Sequence, residues 1–253
     1  MFFKNAIQYL TAQELPDLQQ RKFRNPTPKE LTFTGFAPVE DDLYVANGLF
    51  CLRHAEKIIP ASAVKYRVEQ LSAGRKVSKD ELNAMKESVI REAAVHALVK
   101  VTDTYAYLGG GKLIINTASH NTAERVVSLL RALSGTFAVE KMPELDLEKM
   151  SKNPDFTIGD TATFKDAEAK VTYSGWVNQG EFEGKLRTHR LVKLSLEMGE
   201  NSFTVDEKFV LSKIKMLDGD ALLKPEDLRT DIALSISVAN EITSALLEMT
   251  GNE

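Results

Sequence analysis

In this 253-residue chain, Gly109-Gly110-Gly111-Lys112 comes nearest to a phosphate-binding loop. Such a loop needs Gly, four residues, Gly-Lys and then Ser or Thr opening a helix, so that backbone N–H groups cradle phosphates and the hydroxyl holds magnesium. Here Leu113 follows Lys112 and the apolar run beyond it reads as a strand. Nucleotide chemistry is therefore not indicated, and a hairpin tip whose Lys112 touches a nucleic-acid backbone fits better. The four histidines, His54, His96, His120 and His189, have no metal-ligand spacing. The carboxylates Asp41-Asp42, Glu144/Asp146/Glu148 and Asp206-Glu207 lack a partner base or a two-metal pattern. No Gly-x-Ser-x-Gly nucleophile turn is present. Cys51, the single cysteine, sits in Leu49-Phe50-Cys51-Leu52 and reads as a buried strand thiol. No metal or cofactor is implied, and catalysis has no visible carrier.

What remains is the chemistry of cations. Lys65, Arg67, Arg75, Lys76, Lys79, Lys86, Arg91 and Lys100 stand between 64 and 100, against Glu69, Asp80, Glu81, Glu87 and Glu92. A second group is Lys185, Arg187, His189, Arg190 and Lys193. In a strand, Lys185, Arg187 and His189 would share one face and Arg190 would start the other. On composition alone these are solvated surfaces. Segregated on one face, they would meet phosphates.

The elements that must position them follow from periodicity. Residues 1–10 read as a strand, with Thr11 and Glu14 as a capping box for a short helix limited by Pro16. Asn25-Pro26-Thr27-Pro28 is a break. Strands follow at Leu31–Phe36 and Leu43–Leu52, the second turned by Asn47-Gly48. Ser62 opens a helix stopped by Gly74. Ser78 and Glu81 cap a second, whose stripe of Leu82, Met85, Val89 and Ala93 runs on to a packed or interface His96 and ends near Lys100. A hairpin surrounds Gly109–Gly111, a helix runs from Asn121 or Thr122 to Gly135, and Phe137–Val139 is a further strand. Residues 143–170 carry few signals. Strands are expected at Lys170–Val177, Leu186–Met198, Phe203–Val205 and Phe209–Met216, with a final amphipathic helix from about Asp231. The pattern is α+β, antiparallel sheets with packed helices, expected as regions 1–142 and 143–253 or as one continuous domain.

Bulk properties agree with a globular protein: 43% hydrophobic and 27% charged residues. The net charge of -4 argues against a uniformly basic DNA-coating protein but not against a basic face. No run approaches the roughly 20 apolar residues of a membrane span, and no secretory signal follows Lys4, so a soluble cytoplasmic protein is expected.

The order of short motifs resembles the RdgC family of recombination-associated DNA-binding proteins. The carriers are Phe3-Lys4-Asn5, Ala46-Asn47-Gly48, Glu56-Lys57-Ile58-Ile59-Pro60, Gly74-Arg75-Lys76, Ala97-Leu98, Leu129-Leu130-Arg131, Gly135 and Lys193-Leu194-Ser195-Leu196. The resemblance implies a crescent-shaped protomer that pairs into a homodimeric ring around double-stranded DNA. It implies binding with little sequence preference and restraint of RecA-type recombinases by occupying the duplex, without enzymatic activity, in the nucleoid. It places Arg75 and Lys76 with the family's basic ring residues, Leu98 where the family has an aromatic at a dimer contact, and His96 where it has an arginine. The family's basic fingertip falls at Tyr173-Ser174-Gly175-Trp176, where this chain has no cation and Trp176 either packs or stacks on a base. Its charge comes later, at Lys185–Arg190, and the chain resembles a shortened member, cut after Thr11 and between 143 and 180. The DNA-contact set expected is Arg75, Lys76, Lys79, Lys100, Lys112, Lys185, Arg187 and Arg190, with His96 and Leu98 at a dimer contact. A recombinase-binding protein indifferent to DNA and a metal-dependent nuclease are the alternatives.

Overall fold

The computed structural model describes residues 2–166, 170–174, 179–216 and 228–250, except the side chains of 179, 228 and 229. Trp176 lies outside the described residues. The fold is α+β, as expected. Its contacts divide the chain into a main unit, Met1–Leu15 with Ala106–Glu253, and an inserted unit, Pro16–Tyr105. The expected halves at 142/143 are not this division, because strands from both ends of the sequence pair in the main unit.

The main unit is built around β1 (Asn5–Leu10), whose middle four residues are buried. It pairs antiparallel with β6 (Lys112–Ile115) on one side, Ile7 opposite Ile115, and with β12 (Leu211–Met216) on the other, Ala6 opposite Leu211. The sheet continues through β11 (Asn201–Asp206), β10 (Arg190–Met198), β8 (Thr157–Lys165) and β9 (Lys170–Ser174). The last residues of β5 (Val99–Gly109) pair with β6, and β7 (Glu140–Lys141) pairs with β1. Successive strand side chains face opposite ways, and both faces of β1 are covered. Tyr9 Oη donates to Glu124 Oε1 at 3.3 Å on α3 (His120–Ser134), while Gln8 Nε2 donates to Thr243 Oγ1 at 2.5 Å on the C-terminal helix, Leu228–Thr250.

That C-terminal helix buries Ile232, Ser235, Val238, Ala239, Ile242, Thr243 and Leu246, a stripe at three- and four-residue steps. Against expectation, Thr230–Thr250 is long and apolar enough to cross a membrane by length and composition. Here its apolar stripe packs on the sheet instead, and Phe2 N donates to Ser235 Oγ.

Several local expectations are corrected. Thr11 caps no helix: its hydroxyl donates to Ala138 O at 2.7 Å, and its N–H donates to Gly111 O. The short turn comes later, a 3-10 segment at Leu18–Arg21 capped by Asp17. The weakly patterned stretch 143–170 holds α4 (Leu147–Ser151), capped by Asp146, and strand β8. The strand expected from Leu186 begins only at Arg190. Before it lies α5 (Gln179–Leu186), whose Phe182 packs 5.5 Å from the Phe164 ring and whose Lys185 carbonyl accepts from Thr188 and His189. The C-terminal helix is α6 in chain order.

In the inserted unit, β2 (Thr32–Ala37) pairs with β4 (Leu49–Lys57), and β3 (Val45–Ala46) turns into β4 through Asn47 (φ 50) and Gly48 (φ 82), the positive-φ pair a tight hairpin needs. Residues Val99–Tyr105 of β5 lie beside β4, joined by Arg53–Asp103 and Lys100–Glu56. Between β4 and β5 the chain forms two antiparallel helices, α1 (Ala61–Ser72) and α2 (Lys79–Ala94). Pro60 rather than Ser62 precedes the first, and the second ends at Ala94 rather than near Lys100. Leu98 O accepts from Ile58 N at 2.8 Å, which draws the chain back to the sheet before Lys100.

Candidate nucleic-acid interface

The helical hairpin has two ends of different character. At its tip, α1 closes with Ala73 (φ 45) and Gly74 (φ 71). Arg75 N then donates to Ser72 O at 2.9 Å, and Ser78 restarts the helix. Ser78 Oγ accepts from Glu81 N and Ser78 N donates to Glu81 Oε2, the capping box legible in the sequence. The Ser78 N–H first, then the Ser78 hydroxyl, both donating to Oε2, hold the Glu81 carboxyl below its ordinary range, with Arg75 adding to the effect. Arg75, Lys76 and Lys79 are exposed, and none is in an ion pair among the described residues. Their charge is available to an external anion.

At the base lies an open groove of about 590 Å³ with largely apolar walls from Ile58, Pro60, Val64, Val89, Ala93 and Leu98. Arg67, Glu92 and His96 add polar edges. Leu98 is 78% exposed, and Ile58, Val95 and Val101 are exposed beside it in sequence or along the strand. Leucine exposed to this degree beside an apolar groove makes a continuous exposed apolar surface. His96 is exposed, which overturns the packed alternative and not the interface one.

The other expected contacts are not part of the tip. Lys100 Nζ lies 3.5 Å from Glu56 Oε1, so its charge is already shared. Lys112 is half-buried at the start of β6, in the main unit. The segment 185–190 does not present Lys185, Arg187 and His189 on one strand face. Lys185 lies in the last turn of α5, Arg187 is exposed in the turn after it, and His189 Nε2 lies 3.2 Å from Asp166 Oδ2. Arg190 Nη2 meets Glu207 Oε2 at 2.8 Å without hydrogen-bond alignment. Of this group, Lys185 and Arg187 have no acidic partner among the described residues. The pairings of His189 and Arg190 are with residues distant in sequence, which no local pattern signals.

Charge is divided between the units. The inserted unit holds 14 Lys and Arg against 12 Asp and Glu, a surplus of two in a chain of net -4. The acidic excess therefore belongs to the main unit. Part of the surplus lies where the Asn25-Pro26-Thr27-Pro28 break hides it, in Arg21, Lys22, Arg24 and Lys29. Charge counted over residues 18–29 is the signal that marks this stretch.

Two chemistry-bearing groups elsewhere, Cys51 and His54, are sequestered or occupied. Cys51 is buried, and burial first, then Asp103, pushes its thiol up to about 12. His54 Nδ1 lies 2.7 Å from Thr34 Oγ1. Among the described residues, no three His, Cys, Asp or Glu side chains are grouped to hold a metal ion.

Known proteins match along the whole length. A family model described as "Putative exonuclease, RdgC" matches residues 1–253. The recombination-associated protein RdgC of Pseudomonas fluorescens strain Pf0-1 is 28% identical over 302 aligned positions, covering 100% of this chain and 98% of the relative. The protein of the same name from Colwellia psychrerythraea strain 34H is 28% identical over 204 positions, covering 71% of this chain and 66% of the relative. That of Pseudomonas fluorescens strain SBW25 is 32% identical over 166 positions, covering 56% and 54%. The Pf0-1 alignment runs over more positions than the 253 residues here, so that relative carries segments this chain lacks.

Proposed function

The chain belongs to the RdgC family of recombination-associated proteins, and from that premise we propose that it binds double-stranded DNA without sequence preference, as a homodimeric ring that restrains RecA-type recombinases. The observation that carries this reading is the two-ended hairpin of the inserted unit. An exposed basic tip at Arg75, Lys76 and Lys79, without an ion pair among the described residues, lies at one end, and an exposed apolar groove with Leu98 at the other. The twelve residues of α1 hold the two about 18 Å apart. DNA contact and subunit contact can then occur together on one rigid element.

The mechanism is electrostatic. Lys and Arg side chains displace condensed counterions from phosphates, which gives affinity that falls steeply with salt and carries no base information. A groove that covers Leu98 of a second copy closes the ring, and enclosure slows dissociation. A recombinase needing the same duplex is excluded by occupancy. Such a protein works in the cytoplasm, on the nucleoid.

The test is retention on circular against linear duplex of one sequence after a high-salt challenge. Preferential retention on the closed circle supports enclosure; equal release from both refutes it. Inhibition of strand exchange that persists in excess duplex would indicate direct recombinase binding instead. The family model's printed description favours a second reading, an exonuclease. Incubating end-labelled DNA with magnesium or manganese decides it: released nucleotides establish the exonuclease, and intact DNA supports binding alone.

A further inference from the structure

Residues 18–29, Leu-Gln-Gln-Arg-Lys-Phe-Arg-Asn-Pro-Thr-Pro-Lys, contain four cations and no acid. The stretch is not a loose loop. Phe23 N donates to Phe36 O at 2.7 Å, and Lys22 bridges to Phe36 alongside β2. The approach is close because Gly35 has no side chain: a Cβ there would meet Arg21 O at 2.7 Å and Phe23 N at 2.9 Å. Lys57 Nζ donates to Thr27 O at 2.7 Å and to Pro28 O at 3.1 Å, which ties the far end of the stretch to the end of β4.

Two of the four cations lie over one aromatic ring. The Arg24 guanidinium lies 4.0 Å from the centroid of Phe33, and that of Arg21 lies 4.8 Å from the same ring. Arg53 lies 5.5 Å from Phe23. Arg24 is also bonded twice to Glu30, at 2.7 and 2.8 Å. Those bonds first, then the Thr27 N–H, hold the Glu30 carboxyl down at about 2, so the clasp stays ionised at neutral pH. Among the described residues the Arg21 guanidinium makes one hydrogen bond, from Nε to Thr34 O at 3.2 Å. Arg21, Lys22 and Lys29 are exposed, and among the described residues they have no acidic partner.

We propose that this ordered basic ridge is a second phosphate-contact surface of the inserted unit, separate in sequence from the hairpin tip, and that it takes the backbone of duplex DNA. The inference rests on the DNA-binding reading above. Phosphates rather than bases are the partners because the rings that could stack on bases are already covered by guanidinium groups. A side chain pre-held in one geometry also loses less freedom on binding a phosphate.

The test uses the full chain and short fluorescent duplexes of two unrelated sequences. Arg21→Ala/Lys22→Ala is expected to make the slope of log affinity against log salt shallower by about 1.8, equally for both sequences. The exchange Arg21→Lys/Lys22→Arg should keep the slope, and the loss should add to that of Arg75→Ala/Lys76→Ala. Should the double alanine variant melt early, Lys22→Glu alone, at an exposed position, gives the same reading with a larger loss of affinity. An unchanged slope in a variant that melts normally overturns the ridge while leaving the DNA-binding reading intact. Wild-type protein that binds neither duplex overturns both.

Discussion

Leu98→Ala isolates the subunit contact from folding. Leu98 is 78% exposed, so in the protomer its side chain contributes little to the core. Its loss should shift stability by no more than about 0.5 kcal/mol, the range of surface substitutions. In the proposed dimer the same side chain is covered. The change removes three carbons, worth about 2.4 kcal/mol at a fully covered site at about 0.8 kcal/mol each. Scaled by the 78% still open to cover, this is about 1.9 kcal/mol per copy. A two-fold interface counts it twice, about 4 kcal/mol, which is on the order of a thousandfold in dimer Kd. That figure is an upper bound, since a neighbour rarely seals a side chain completely. Sedimentation equilibrium over a dilution series reads the Kd, and thermal melting of the same samples reads the fold. A dimer Kd within about threefold of wild type, or a loss of dimer matched by a comparable loss of stability, would refute the assignment of Leu98 to an interface.

Arg75→Ala/Lys76→Ala should weaken binding to unrelated duplexes alike and make the salt slope shallower by about 1.8, read by fluorescence anisotropy. Arg187→Ala should lower DNA affinity with melting unchanged if the turn after α5 touches the backbone. Arg190→Ala should instead lower stability by roughly 1 kcal/mol, because it leaves the mostly buried Glu207 carboxylate without its cation, read by denaturant titration. Cys51, whose thiol is raised to about 12, should resist a thiol reagent at pH 8 in the native protein and react fully in denaturant.

Legibility from sequence followed the range of the interaction. The Ser78–Glu81 capping box and the Asn47-Gly48 turn are written within a few residues, and both are present. Apolar stripes at helical spacing located α3 and α6. By contrast, α4 is a single turn and β8 is interrupted by Gly159, so neither shows a period. The cationic residues of 185–190 were visible, but the pairing of His189 and Arg190 was not, since Asp166 and Glu207 reach those two only through the fold. The pairing of β1 with β12 spans the whole chain, which is why a boundary at 142/143 does not describe the compact units. The tip residues were legible because unpaired exposed charge needs no distant partner. The groove at the hairpin base was not, because it exists only where α1 and α2 meet.

The central claim is tested most directly by titrating duplex DNA with protein of known oligomeric state across a range of salt. A dimer is expected to bind unrelated duplexes with equal affinity, to leave them intact, and to show a steep linear fall of log affinity with log salt. Binding that is absent at low salt, indifferent to salt, or confined to one sequence would contradict it.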